Sequence, residues 1–271
     1  MNIKYLLSRL LSRKGERFLD FKVGGCVVRN VVPLGNYLTP GVTKVGRLSF
    51  AGWMNDKKVK IYSCHSRAQV DLRLALDKLS FSNFSLPSVL AVEGDIVVEE
   101  WIEGEVIRSS GAFESALACN IINEFHDSTC YLGREFLARS PFCYFEDYLV
   151  ARLGRWRGVA QIAEMLSTWQ AQLASLESVI APKLFHPDLS YRNMIRSARD
   201  GRFVVVDNEL LGVGRGWVLD WHNAGIPNCS LQEAAGSVDI KDFVSLSWDL
   251  RRLGSMLDAC DYRGVRGLLG G

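Results

Sequence analysis

Leu184-Phe185-His186-Pro187-Asp188-Leu189-Ser190-Tyr191-Arg192-Asn193-Met194-Ile195, with Asp200-Gly201 shortly after it and then Phe203-Val204-Val205-Val206-Asp207, is the stretch that decides the fold. An Asp-Gly pair between apolar runs signals a β-hairpin, because both central positions of the favoured two-residue turn need positive φ. Met194-Ile195 and Phe203 to Val206 are then the paired strands. Asn193 and Asp207 stand side by side at the open ends of that hairpin, and Asp188 lies five residues before Asn193 in the loop leading in. The pattern brings an amide and two carboxylates to one place.

On either side of the hairpin the apolar period differs. From about 21 to 104 the runs are short and strand-like: Cys26 to Val32, Val45 to Phe50, Lys57 to Tyr62, Val89 to Val92 and Ile96 to Ile102. One helix, at about Ser66 to Leu79, interrupts them. Turn signals fall at Leu34-Gly35-Asn36, Pro40-Gly41, Asn55-Asp56 and Glu93-Gly94-Asp95. After Gly104 the period becomes helical, with Phe113, Leu117, Ile121 and Phe125 at four-residue steps and a second stripe from Ile162 through Trp169 to Ile180. Phe243 to Leu257 is a further helix. The spacing predicts an antiparallel sheet with one inserted helix over 21–104, and a mainly helical 105–271 that carries the hairpin.

Composition excludes several classes. The chain has 271 residues, of which 48% are hydrophobic and 23% charged, so it can bury a core and is neither disordered nor fibrous. A formal net charge of only +2 gives no reason to expect nucleic acid as a partner. The seven cysteines are scattered, with no C-x-x-C pair and no metal spacing with the histidines, which fits a reducing cytoplasm. No apolar run reaches the roughly 18 residues that span a bilayer. Residues 1–20 form a basic amphipathic helix, with Ile3, Leu6, Leu7, Leu10 and Leu11 on one stripe. It reads equally as an interfacial anchor for a peripheral membrane contact or as a helix packed on the residues that follow.

The three polar residues at the hairpin suit one chemistry. Phosphoryl transfer needs a carboxylate to orient and deprotonate an attacking hydroxyl, and an amide with a second carboxylate to hold magnesium on the phosphates. Asp188, Asn193 and Asp207 supply that set. An N-capping Asp and a turn Asn beside an unrelated hairpin would explain each residue singly, but not the further matches that follow in register.

His186-Pro187-Asp188 to Asn193, with Val206-Asp207-Asn208-Glu209, resembles the catalytic loop and metal-binding strand end of the aminoglycoside phosphotransferase and choline kinase family, itself similar to the protein-kinase loop H-R-D-L-x-x-x-N. The resemblance spans about residues 25 to 225. It implies an α+β, two-lobed protein-kinase-like fold, ATP and Mg2+ as donor and cofactor, and a small-molecule or sugar acceptor. Asp188 would be the catalytic base, Asn193 and Asp207 the metal ligands, and His186 and Asp220 structural supports of the loop. Pro187 departs from the pattern, because proline removes an N–H and biases His186 to extended geometry.

Further matches carry other roles. Lys58-Val59-Lys60-Ile61-Tyr62 resembles the family's lysine strand, so Lys60 would reach the α- and β-phosphates, with Asp71 of the next helix, or Asp77 after it, as the acid that holds it. Glu99-Glu100-Trp101-Ile102-Glu103-Gly104 resembles the hinge, where the backbone of Glu100, Trp101 and Ile102 would read the adenine edge. The phosphate-covering loop corresponds to Thr39–Gly46, with Thr43 as its candidate contact, although that segment is not Gly-x-Gly-x-x-Gly and reads equally as a simple hairpin turn. Glu124-Phe125-His126 resembles a helix end that packs under the catalytic loop, which makes His126 structural.

Overall fold

A computed structural model describes residues 19–34, 49–64, 66–107, 112–139, 144–186, 189–219 and 240–270. The chain divides into two compact units, one from Met1–Ser109 with Tyr191–Leu211, the other from Ser110–Ser190 with Gly212–Gly271.

The first unit is built on a six-stranded antiparallel sheet in the order β1-β2-β3-β4-β6-β5. Its strands are β1 (Leu19–Val23), β2 (Cys26–Pro33), β3 (Ser49–Met54), β4 (Lys57–Ser63), β5 (Val89–Glu93) and β6 (Ile96–Glu100), with helix α1 (Arg67–Asp77) between β4 and β5. The strand pattern arises as the alternation requires. Val59 and Ile61 of β4 enter a core with Phe21, Val28, Val31, Phe50 and Val98, while Tyr62 turns to the other face and packs with Val70 of α1 and Val97. Ser66 caps α1 by accepting from the Gln69 N–H at 3.3 Å.

Several boundaries differ from the sequence expectation. Leu19 and Asp20 open strand β1 instead of closing a helix, because Leu19 pairs with Val31 of β2; residues 1–18 of that expected helix lie outside the described residues. The expected strand from Val45 begins, within the described residues, at Ser49, and the one running to Ile102 ends at Glu100. Asn55 and Asp56 both have positive φ, at 49° and 60°, so the β3–β4 turn is the two-residue type the sequence indicated.

The hairpin also belongs to the first unit, not with the helices. Strands β9 (Met194–Ser197) and β10 (Phe203–Val205) pair Met194 with Val205 and Arg196 with Phe203, and β7 (Gly104–Val106) adds to the other edge of β9. Two bonds tie β10 to the segment between α1 and β5: Ser85 N–H to Phe203 O at 2.8 Å and Val205 N–H to Ser85 O at 2.9 Å. The turn itself is longer than the Asp-Gly pair suggested. Ser197 N–H bonds to Arg202 O and Gly201 N–H to Ser197 O, so four residues form the loop and only Gly201, at φ 72°, is left-handed. Gly104 permits the close approach of β7, since a Cβ there would run into the Arg196 carbonyl and the Ile195 side chain.

The second unit packs α2 (Ala112–Arg139), α3 (Tyr144–Gly154), α4 (Ala160–Leu176), α5 (Lys241–Asp258) and α6 (Tyr262–Leu268) around the pair β8 (Lys183–Phe185) and β11 (Gly212–Gly214). Ile121, Phe125, Ile162, Leu166 and Trp169 are buried, as the stripes required. The Trp169 indole donates to Ser247 Oγ of α5 at 2.8 Å. None of the described helices is long and apolar enough to cross a membrane.

His126 of α2 lies buried against the Trp217 ring, with centroids 5.7 Å apart. Burial, assisted by the nearby Lys183 ammonium, lowers its pKa from 6.5 to about 3. A neutral histidine in the folded chain means that the unfolded chain binds the extra proton between these values, so its contribution is complete above about pH 6.5 and is lost as pH falls. Urea unfolding between pH 6 and 4 is expected to show stability falling with pH by roughly 1 kcal/mol per unit from this group. A His126→Gln variant with the same pH slope as the parent would contradict that assignment.

Candidate active site

Lys60 of β4 lies at the centre of the site. Its strand places Lys58, Lys60 and Tyr62 on one face, and the β4–β6 register sets Lys60 directly across from Glu99. The Lys60 side chain is nearly buried, and its ammonium meets two carboxylates: Asp207 Oδ1 at 2.5 Å and Glu209 Oε2 at 2.8 Å. Burial by itself would lower the Lys60 pKa; the carboxylates of Glu209, Asp207 and Glu99 more than offset it, and the net direction is upward. Lys60 is therefore a fixed positive charge at neutral pH.

Asp207 reaches this place through the hairpin that also carries Asn193. Val206 N–H donates to Asn193 O at 2.9 Å, which sets the two residues at matching ends of β9 and β10. Asp207 has φ 63° and ψ 42°, left-handed geometry that is uncommon for a residue with a side chain and clusters at functional sites. Its side chain is 45% exposed, whereas that of Glu209 is 3% exposed. The carboxylate that solvent reaches is thus Asp207.

Behind Lys60 lies a second set of buried polar groups. Tyr62 OH donates to Glu99 at 3.2 Å, and Arg73 of α1 contacts Glu99 at 3.4 Å and donates to the Pro87 carbonyl. Desolvation raises the Glu99 pKa, opposed by Arg73 and Lys60. Gln69, also on the inner face of α1, donates through its amide to Glu209 O at 3.2 Å and Leu211 O at 2.7 Å.

The acid expected on α1 does not reach Lys60. Asp71 points away and pairs with Arg67 at 3.0 Å, its side chain 44% exposed. Two residues along a helix is about 200° of rotation, so Asp71 and the inward Gln69 occupy opposite faces. Asp77 is held by the Val89 N–H at 3.1 Å and by Arg73. Glu209, Gln69, Arg73 and Glu99 were missed by the sequence reading. Glu209 stood within the Val206-Asp207-Asn208-Glu209 stretch that carries the resemblance, without a role of its own, and a charged residue inside the apolar run of β6 was the signal for Glu99.

Of the other expected residues, Glu100, Trp101 and Ile102 lie at the end of β6. Glu100 N–H bonds to Ser88 O and Trp101 N–H to Lys58 O, while the Ile102 N–H has no backbone partner among the described residues. Lys58 stacks its ammonium 3.8 Å over the Trp101 ring. A cavity of about 690 Å³ adjoins these residues, but Lys60, Asn193 and Asp207 do not line it. In the second unit His186 is fully buried, and its carbonyl accepts from Leu189 N–H at 3.0 Å. Thr43, Pro187, Asp188 and Asp220 lie outside the described residues.

Two residues could hold a hard cation. Asn193 and Asp207, at neighbouring strand ends of the hairpin, carry oxygen donors, the donor type that magnesium takes. Among the described residues no group of three or more His, Cys, Asp or Glu could hold a metal. Such an ion would draw its remaining ligands from phosphate and water, as magnesium commonly does.

Comparison with solved structures matches this architecture over nearly the whole chain. A thermostable mutant of the aminoglycoside phosphotransferase APH(4)-Ia, in a ternary complex with ADP and hygromycin B, superposes with a TM-score of 0.54 at 14% identity, covering 98% of this chain and 95% of that one. The choline kinase LicA from Streptococcus pneumoniae does so with a TM-score of 0.51 at 17% identity, covering 99% and 97%. This chain has the aminoglycoside phosphotransferase and choline kinase fold. No family model matches the sequence, and no curated protein does. The kinase-like fold accounts for the α+β layout and for the hairpin that joins the first unit.

Proposed function

We propose that this chain is an ATP- and Mg2+-dependent phosphotransferase that moves the γ-phosphate onto a hydroxyl of a small molecule. The observation that carries the reading is the meeting of Lys60 with Asp207, brought together from a sheet strand and the hairpin that also carries Asn193, far apart in sequence. A magnesium ion supplies charge neutralisation on the phosphates when bound. Asn193 and Asp207 hold it, and Lys60 holds the α- and β-phosphates. The backbone of Glu100, Trp101 and Ile102 faces the adenine edge, and Thr43 contacts phosphate from the loop before β3. Asp188 accepts the proton of the attacking hydroxyl as its oxygen bonds to phosphorus and the bond to the ADP oxygen breaks. His186 and Asp220 brace the loop that carries Asp188.

A sugar or glycolipid headgroup is our first choice of acceptor, ahead of aminoglycosides and choline-like amines. One neighbour's structure contains hygromycin B and another is a choline kinase, which supports a compact polar acceptor. The basic amphipathic segment of residues 1–20 would bring the enzyme to a membrane bearing such a headgroup, with the body of the protein in the cytoplasm. Five free cysteines among the described residues fit that compartment. Deleting residues 1–20 is expected to abolish sedimentation with anionic liposomes; unchanged sedimentation removes the membrane argument.

The rival is a nucleotide-binding module without turnover. Pro187 and the absence of an acid on α1 facing Lys60 favour it, while Asp188, Asn193 and Asp207 stand against it. Calorimetric titration with ATP and GTP in magnesium tests the shared part of both readings. Saturable binding of a nucleoside triphosphate supports them, and no binding of either contradicts them.

A further inference from the structure

We propose that Glu209 is the positioning residue for Lys60, taking the part that an acid on α1 would otherwise play. The inference rests on the phosphotransferase reading above. Lys60 and Glu209 meet at 2.8 Å with both side chains almost wholly buried, whereas the carboxylate of Asp207 is open to solvent. In the proposed reaction Asp207 turns to the metal. Glu209 is then the acid left to hold the ammonium where the phosphates arrive.

The inner face of α1 excludes an acid from that task. Gln69 there donates to the carbonyl oxygens of Glu209 and Leu211, so a carboxylate at 69 would face two acceptors. Arg73, one turn on, is a cation engaged with Pro87 and Glu99. The amide of Gln69 also fixes the backbone of Glu209, so the acid is anchored while its side chain reaches Lys60. The lysine is thus held by the same short segment that carries Asp207, and α1 contributes through Gln69 and not through an acid of its own.

A double-mutant cycle on ADP affinity in EDTA tests this, using Lys60→Ala, Glu209→Gln and the two combined. Chelation removes any loss that would come from metal binding by Glu209. Glu209→Gln is expected to weaken ADP about tenfold and leave adenosine unchanged, and the combined variant to bind no more weakly than Lys60→Ala. Affinity within twofold of the parent, or losses that multiply in the combined variant, would overturn the proposal. So would an equal loss from Asp71→Asn. If Glu209→Gln does not fold, Glu209→Asp replaces it, with a smaller loss of ADP affinity expected and none for adenosine; unchanged ADP affinity overturns the proposal there too. A parent that binds no ADP brings down the phosphotransferase reading and this inference with it, whereas a binding parent with an additive cycle brings down this inference alone.

Discussion

Asp207→Asn is expected to lower turnover by on the order of 10³-fold while leaving the folded chain intact. The substitution keeps the shape of the side chain and removes its charge, which in the proposed site is the main anionic ligand for magnesium. Lys60 is not stranded by the change, because Glu209 still meets its ammonium at 2.8 Å in a buried pair. Removing one partner of a buried ion pair costs about 3–5 kcal/mol when the other charge is left alone. That condition does not arise here, so thermal unfolding should shift by only a few degrees. Steady-state kinetics across a magnesium series give the check: turnover within tenfold of the parent at all concentrations would exclude Asp207 from the metal site.

The second large effect is expected at Asp188. Asp188→Ala removes the group proposed to take the hydroxyl proton, and a positioned base contributes typically about 10²- to 10⁴-fold. Nucleotide affinity should be preserved, since the phosphates are assigned to Lys60, Asn193 and Asp207. A fall in turnover of that size with unchanged ADP affinity supports the assignment. Turnover within a few-fold of the parent would exclude it. The contrast with Lys60→Ala, where affinity itself should fall, separates a base from a binding residue.

Much of this arrangement was legible in the sequence because it follows from short-range rules. Alternation put Lys60 on the face opposite Val59 and Ile61, and the hairpin signal brought the strand ends that carry Asn193 and Asp207 together, although the observed pairing of Met194 with Val205 is shifted from the one a two-residue turn at Asp200-Gly201 would set. What escaped depends on contacts between distant segments. Glu209 meets Lys60 across 149 residues of chain, and no period or spacing relates the two. The resemblance to kinases directed attention to α1, where acids stand at 71 and 77, but rotation about the helix axis turns Asp71 outward. The hairpin joined the first unit for a similar reason: Ser85, in a loop with no regular pattern, bonds to both sides of Val204 along β10. The Asp200-Gly201 signal gave the position of the turn correctly and its length incorrectly, since Ala198 and Arg199 also belong to the loop.

The fold and the site make a claim about chemistry that one measurement addresses most directly. It is ADP formation from ATP and magnesium by the full chain, with and without each of a panel of sugars, amino sugars, glycolipid headgroups and amines, and with Asp188→Ala run alongside. The account predicts ADP that appears only with one class of acceptor and is lost in the variant. Tight nucleotide binding with no acceptor-dependent ADP across the panel would contradict it and leave the chain a nucleotide-binding module on this fold.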